Sequence, residues 1–192
     1  MGQCMSGLET CSSKPKTTPG DIRRILLANT KPGSIVWPTA RCNEVYPNIF
    51  VSNETYARDV NALLTDGITH VLNCAHGQNS FHFCQTEAAT YDGTPIVFKG
   101  IPALDLISYD ISKHFADTSE FIDSAVKSRG KILVHCREGV SRSATIVAAY
   151  LIMKKHMDAK KAVQTIRSKR EIFPNEGFQA AICKLEEEVI NS

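Results

Sequence analysis

The chain has 192 residues, 43% of them hydrophobic, and a formal net charge of +2 at pH 7. That length and apolar content suit one domain around one core, and so small a charge, with no run of Lys or Arg, argues against a nucleic-acid partner. No apolar stretch of membrane-spanning length and no secretory leader can be read; the seven cysteines are odd in number and lack paired CxxC spacings, so neither a disulfide framework nor a zinc site is indicated, and a reducing compartment fits, cytoplasm or nucleus.

Taken in order, residues 1–20 read as a flexible tail and 21–192 as one folded domain. Met1-Gly2-Gln3-Cys4-Met5-Ser6 has the form of an N-myristoylation signal, with Gly2 as acceptor. Cys4 is placed to take a palmitoyl chain, the second signal that stable anchoring needs. A plain tail that happens to begin Met-Gly is the competing reading. Ser12 to Gly20, polar and Pro-containing, predicts an irregular linker. Asp21 to Leu27 carries apolar residues at helical spacing, with Pro32-Gly33 to end the helix.

Asn43 to Ser52 alternates turn residues with Val45, Tyr46, Ile49, Phe50 and Val51, predicting one or two short strands at a sheet edge. Asn53 or Ser52 caps a helix expected to run to about Leu64, with Tyr56, Val60, Leu63 and Leu64 on its inner face, before Asp66-Gly67 breaks it. Thr69 to Asn73 and Ile96 to Phe98 are further strand candidates, joined by a long polar connection from Cys74 to Pro95. His70, His76 and His82 fit no metal spacing and read as ordinary surface or loop residues. A loop from Ile101 to Asp110 leads to a helix from about Ile111 to Lys127, with Phe115, Phe121, Ile122 and Val126 inward and Gly130 at its end. Lys131 to Val134 is a buried strand, and Ala144 to Met153 a buried helix. Asp158 to Arg167 forms an amphipathic helix, and Asn175 or Glu176 starts a last one, with Phe178, Ile182, Leu185 and Val189 inside. Strands alternating with helices predict an α/β fold: a central, mostly parallel sheet of about five strands, joined by right-handed crossovers and flanked by helices on both faces.

Between the buried strand and the buried helix lies His135-Cys136-Arg137-Glu138-Gly139-Val140-Ser141-Arg142-Ser143. A loop in that position can curl with its amide N–H groups inward while the helix adds the positive end of its dipole, which makes an anion site. Cys136 opens the loop and Arg142 closes it, so a sulfur nucleophile faces a phosphate whose oxygens a guanidinium can hold. A free thiol, with a pKa of ~8.5, is mostly protonated at neutral pH, and the amides, dipole and Arg142 all act to lower that value. Gly139 allows the tight curve. Arg137 and Glu138 project from the rim, Arg137 equally suited to a solvated ion pair, and Val140 is wall. His135 supports the loop from behind, and Ser143 can donate its hydroxyl to the sulfur. The departing oxygen needs a proton. Asp105 and Asp110 are the candidates; Asp105 is preferred because it lies centrally in its loop, while Asp110 is placed to cap a helix.

The sequence HCREGVSRS has the form HCxxGxxR[S/T], and the chain resembles an atypical dual-specificity phosphatase of the VHR type within the protein tyrosine phosphatase superfamily. The likeness runs from Asn43-Glu44-Val45 through Ile68–Asn73 and Ala144–Leu151 to Arg170–Phe178. It implies hydrolysis of phosphotyrosine and of phosphoserine or phosphothreonine on proteins, MAP kinases among the expected substrates, through a phospho-cysteine and without metal or cofactor. It makes Cys136 the nucleophile, residues Arg137, Glu138, Gly139, Val140, Ser141 and Arg142 the phosphate loop with Arg142 the phosphate-binding arginine, Ser143 the hydroxyl that assists thiolate departure, Asp105 the general acid, and Arg170 the holder of a second phosphate. Members of this type often carry an aromatic residue where this chain has Val140, which leaves phosphotyrosine preference open. A phosphoinositide or RNA 5′-phosphatase, less suited to the acidic Glu138, and a non-enzymatic phosphoprotein-binding module are the alternatives; Cys136 and Arg142 favour an enzyme. The expected sheet order also places Cys74 beside Cys136, either as a small buried cysteine or as a thiol able to trap an oxidised Cys136.

Overall fold

The structure, a computed structural model, describes residues 16–28 and 36–191. Gly2, Cys4 and the expected stop at Pro32-Gly33 lie outside these residues. The first helix, α1 (Pro19–Leu27), starts two residues earlier than the sequence suggests. Thr18 caps it through a reciprocal box with Asp21, and Pro19 occupies the first turn, where its missing N–H costs nothing. Pro19 and Gly20 therefore belong to the helix rather than to a linker.

Strands β1 (Cys42–Tyr46) and β2 (Ile49–Ser52) form an antiparallel hairpin, with Asn48 at φ +63° in its turn. The helix expected from Asn53 to Leu64 is two short ones, α2 (Glu54–Ala57) and α3 (Val60–Thr65), because Asp59 accepts from the Ala62 amide and starts the helix afresh. That rephasing leaves Leu64 exposed while Tyr56 and Leu63 are buried. After β3 (His70–Asn73), a short 3₁₀ turn at Ala88–Tyr91 and β4 (Val97–Gly100) comes the Asp105 loop, followed by a second 3₁₀ turn at Ser112–His114 and α4 (Phe115–Lys127). Arg129, not Gly130, takes the left-handed conformation behind α4. Gly130 is needed for a different reason, since a Cβ there would lie 2.4 Å from Thr69 Oγ1. Strand β5 (Ile132–His135), α5 (Arg142–Lys155), α6 (Ala159–Arg167) and α7 (Glu176–Ile190) complete the fold.

The sheet order is β1-β2-β5-β3-β4, and β2, β5, β3 and β4 run parallel. Along β5, Ile132 and Val134 face the larger core with α1, α4, α5, α6 and α7, while Leu133 faces the smaller one built from α2, α3 and Tyr91. Both faces are covered, which is why the strand reads as a continuous apolar run. Register places Ser52, His135, Asn73 and Gly100 level with one another at the strand ends. Four loops therefore leave the sheet on one side, at the carboxyl end of a central strand flanked by strands of different origin, where ligands of open α/β sheets bind.

Candidate active site

The backbone carbonyls of residues 136–141 anchor the cradle loop from outside. That of Cys136 accepts from the His135 ring, Arg137 from the Glu54 amide, Glu138 and Gly139 from Arg170, Val140 from the Phe173 amide and Ser141 from the Thr145 amide and hydroxyl. With every carbonyl turned outward, the N–H groups of residues 137–141 find no acceptor among the described residues. Donors so exposed on the concave side of a loop, at the start of a fourteen-residue helix, form an anion cradle. Gly139 makes the curve possible: its φ is +67°, and a Cβ there would meet Ser52 O at 2.3 Å.

Cys136 is 2% exposed at the cradle floor, its sulfur 3.3 Å from Ser143 Oγ. Behind it, His135 is fully buried. Its Nδ1 lies 3.2 Å from the Cys136 carbonyl, which can only accept, so Nδ1 carries the proton and Nε2, 3.0 Å from Thr86 Oγ1, accepts from that hydroxyl. Asn73 Nδ2 in turn donates to Thr86 Oγ1 at 2.8 Å. Burial, ahead of the opposing hydrogen bond to Cys136, pulls the imidazole pKa down to about 4, so the ring is a neutral relay of hydrogen bonds from β3 to the loop.

Arg142 reaches from the first turn of α5 across the cradle. Its Nη1 donates to the carbonyls of His82 (2.9 Å) and Ala103 (3.1 Å), which ties together the loops after β3 and β4. Its Nε is buried without a hydrogen-bond partner among the described residues, and lies 3.6 Å from Asp105 Oδ2. Asp105 Oδ1 accepts from Ser141 Oγ at 2.8 Å and Asn175 Nδ2 at 2.9 Å. Asp110 stands apart: its Oδ1 accepts from the hydroxyl and amide of Ser112 in the 3₁₀ turn, bonds that hold its pKa below the usual carboxylate value. Of the two acids, Asp105 lies at the cradle; Asp110 bonds Ser112 two residues on but does not cap a helix, the N-cap residues being Ile111 for the 3₁₀ turn and His114 for α4.

Two expectations change. Arg170 is 3% exposed and does not line the pocket; its guanidinium donates to the carbonyls of Gly139 (2.7 Å), Glu138 (3.0 Å) and Ala40 (3.0 Å) and to Asn43 Oδ1 (2.7 Å). With those donors spent behind the loop, it is a brace for the cradle rather than the holder of a second phosphate. Arg137 does project at the rim, but instead of a solvated ion pair it donates to the carbonyls of Ser80 and Phe81.

The cradle opens into a pocket of about 570 Å³. Asp105, Cys136, Arg137, Glu138, Val140, Ser141 and Arg142 line it together with Phe173, Asn175 and Glu176 from the start of α7, Ile107 from the Asp105 loop, and Arg23 and Trp37 from the N-terminal segment. Sequence reasoning missed Asn175 as a partner of Asp105 and did not single out Trp37; the helix from Asp21 to Leu27 could be read as serving substrate recognition or packing on the core, without Arg23 being singled out. The cap position of Asn175 is readable, but its spare Nδ2 says nothing of where it points. A lone tryptophan beside Pro38 was the available signal for Trp37.

Comparison with known proteins agrees with this geometry. Residues 49–188 match the model of the dual specificity phosphatase catalytic domain. Dual specificity protein phosphatase 13B of Mus musculus is 44% identical over 137 residues, which cover 71% of this chain and 68% of that protein. The crystal structure of human DUSP28 superimposes with a TM-score of 0.69 at 26% identity, covering 82% of this chain and all of that one. The human tyrosine phosphatase-like serine/threonine/tyrosine-interacting protein gives a TM-score of 0.69 at 27% identity, covering 79% of this chain and 99% of that one.

Proposed function

This chain belongs to the dual specificity phosphatase family and is a protein phosphatase, and on that premise we propose how its pocket divides the chemistry. Cys136, as thiolate, attacks the phosphorus held by the amides of residues 137–141 and by Arg142. A sulfur–phosphorus bond forms, the phosphorus–oxygen bond to the substrate breaks, and Asp105 gives the departing oxygen its proton. Water then attacks the phospho-cysteine and Asp105 takes a proton from it. The sulfur leaves as thiolate, steadied by the Ser143 hydroxyl 3.3 Å away. Substrate phosphate takes the place of Asp105 Oδ2 beside Arg142 Nε, and the freed carboxylate takes a proton from solvent that it then gives to the departing oxygen.

The observation that carries the reading is the cradle floor: among the described residues, five backbone donors and a buried guanidinium N–H have no acceptor, and they surround one thiol. A buried guanidinium N–H is rarely left unpaired, and a phosphate dianion can meet it and the amides together. Replacing Cys136 by Ser abolishes turnover of phosphopeptides while inorganic phosphate still binds; retained turnover overturns the assignment. Phosphorylated MAP kinases are proposed among the substrates on family likeness alone, and a doubly phosphorylated activation-segment peptide tests that. Myristoylation of Gly2 and palmitoylation of Cys4 are proposed to hold the enzyme at the cytoplasmic face of a membrane; the mass of the intact protein from its native cells, showing Gly2 unmodified or acetylated, would refute this.

A further inference from the structure

We propose that Trp37 selects the aryl ring of phosphotyrosine at the mouth of this pocket, an inference that rests on the phosphatase reading above. The pocket joins the buried Cys136, Ser141 and Arg142 to Val140, Phe173, Ile107 and Trp37, with the charged Arg23, Arg137, Glu138 and Glu176 also in its lining. Trp37 is 56% exposed and Ile107 65%, large side chains left open to solvent at the rim of a site built for anions. The Trp37 indole has neither a hydrogen bond nor a ring partner among the described residues.

A phosphate seated on the floor puts different groups at that rim according to the amino acid that carries it. In phosphotyrosine a full aromatic ring spans the distance from floor to mouth, and its faces meet the apolar wall. In phosphoserine and phosphothreonine the phosphate hangs from Cβ, so the same seating gives the indole face no ring to pack on. Trp37 therefore favours the aryl ester.

Trp37 comes from outside the part of the chain that matches the family domain, which begins at residue 49. Arg23 of α1 also lines the pocket, its Nη1 2.8 Å from Glu176 Oε1 at the start of α7. The selecting group thus lies outside the matched domain.

Trp37 is the sole tryptophan of the chain, so its fluorescence reports directly on the rim. Two peptides of the same tryptophan-free sequence, one with phosphotyrosine and one with phosphothreonine at the same position, are titrated into the Cys136→Ser protein. A saturable change in emission with the first and none with the second is expected. In the otherwise wild-type enzyme, Trp37→Ala lowers kcat/KM for the phosphotyrosine peptide about tenfold, mainly through KM, changes the phosphothreonine peptide less than about threefold, and is largely rescued by Trp37→Phe. Silent fluorescence with the phosphotyrosine peptide, or an equal loss on both peptides, overturns the role of Trp37 while leaving the phosphatase reading intact. A wild-type enzyme that hydrolyses neither peptide removes the phosphatase reading and this inference with it.

Discussion

Asp105 is hydrogen-bonded on one oxygen and meets the Arg142 guanidinium on the other, a contact that a substrate phosphate would take over. Ser141 and Asn175 fix Oδ1, and Oδ2 faces Arg142. Asp105→Asn should lower kcat by roughly 10²–10⁴-fold on phosphopeptides, whereas Asp110→Asn, which removes a charge away from the cradle and keeps an oxygen able to accept from Ser112, should leave kcat near wild type; the reverse result would move the acid to Asp110. Arg170 gives a different contrast. Removing its guanidinium strips three carbonyls and Asn43 of their donor, at a cost of about 3 kcal/mol or more. Arg170→Ala should therefore weaken turnover of singly and doubly phosphorylated peptides alike, and a loss confined to the doubly phosphorylated peptide would restore the second-phosphate role. His135 makes stability pH-dependent. Its folded pKa of about 4 lies below the unfolded value near 6.5, so the unfolded chain binds the extra proton between them. The stabilisation is complete above pH ~6.5 and is lost as the pH falls through about 4, by roughly 3 kcal/mol in all. Urea unfolding across that range should show a shallower acid limb in His135→Gln than in wild type, and parallel limbs would acquit the histidine.

At the level of elements, the register of β3 against β5 matters as much as the loop it serves. Asn73 pairs with His135, and the Cys74 amide donates to the His135 carbonyl at 2.8 Å, so Cys74 follows β3 where Cys136 follows β5. Both sulfurs are buried, and burial pushes the Cys74 thiol well up. Peroxide would oxidise the Cys136 sulfur to a sulfenic acid, and attack by the Cys74 thiolate would then form a disulfide and expel hydroxide, which takes up a proton from solvent. Because so little Cys74 is ionised at neutral pH, the Cys74–Cys136 peptide should accumulate slowly there and faster as the pH rises; peptide mapping that finds no such link at any pH excludes the route. The β5-loop-α5 unit was the most legible part of the chain, since an apolar run, a glycine-containing polar loop and a second apolar run leave few alternatives. Least legible was the stretch after β2, where one amphipathic pattern spans α2 and α3 and only the Asp59 cap shows that the helix restarts.

Across the whole molecule, α1 is part of the folded body rather than an appendage. Ile22 and Leu26 are buried in the main core, and Thr17 and Lys16 ahead of it reach Glu186 and Glu187 of α7. Ile22→Ala or Leu26→Ala should each cost about 2–5 kcal/mol of stability. Thermal unfolding of either variant at the wild-type Tm would show that α1 undocks freely.

The sequence by itself determined the alternation of strands and helices, the cradle between β5 and α5, and the identity of its thiol and guanidinium, because periodicity and a contiguous motif are local properties of a chain. Tertiary structure put Asp105, already favoured by its loop position, at the cradle and Asp110 away from it, turned Arg170 from ligand holder to brace, and brought Trp37 and Arg23 to the rim. Each of those outcomes depends on where a side chain points relative to residues far away in sequence, and that is set by packing and by which donors are already spent.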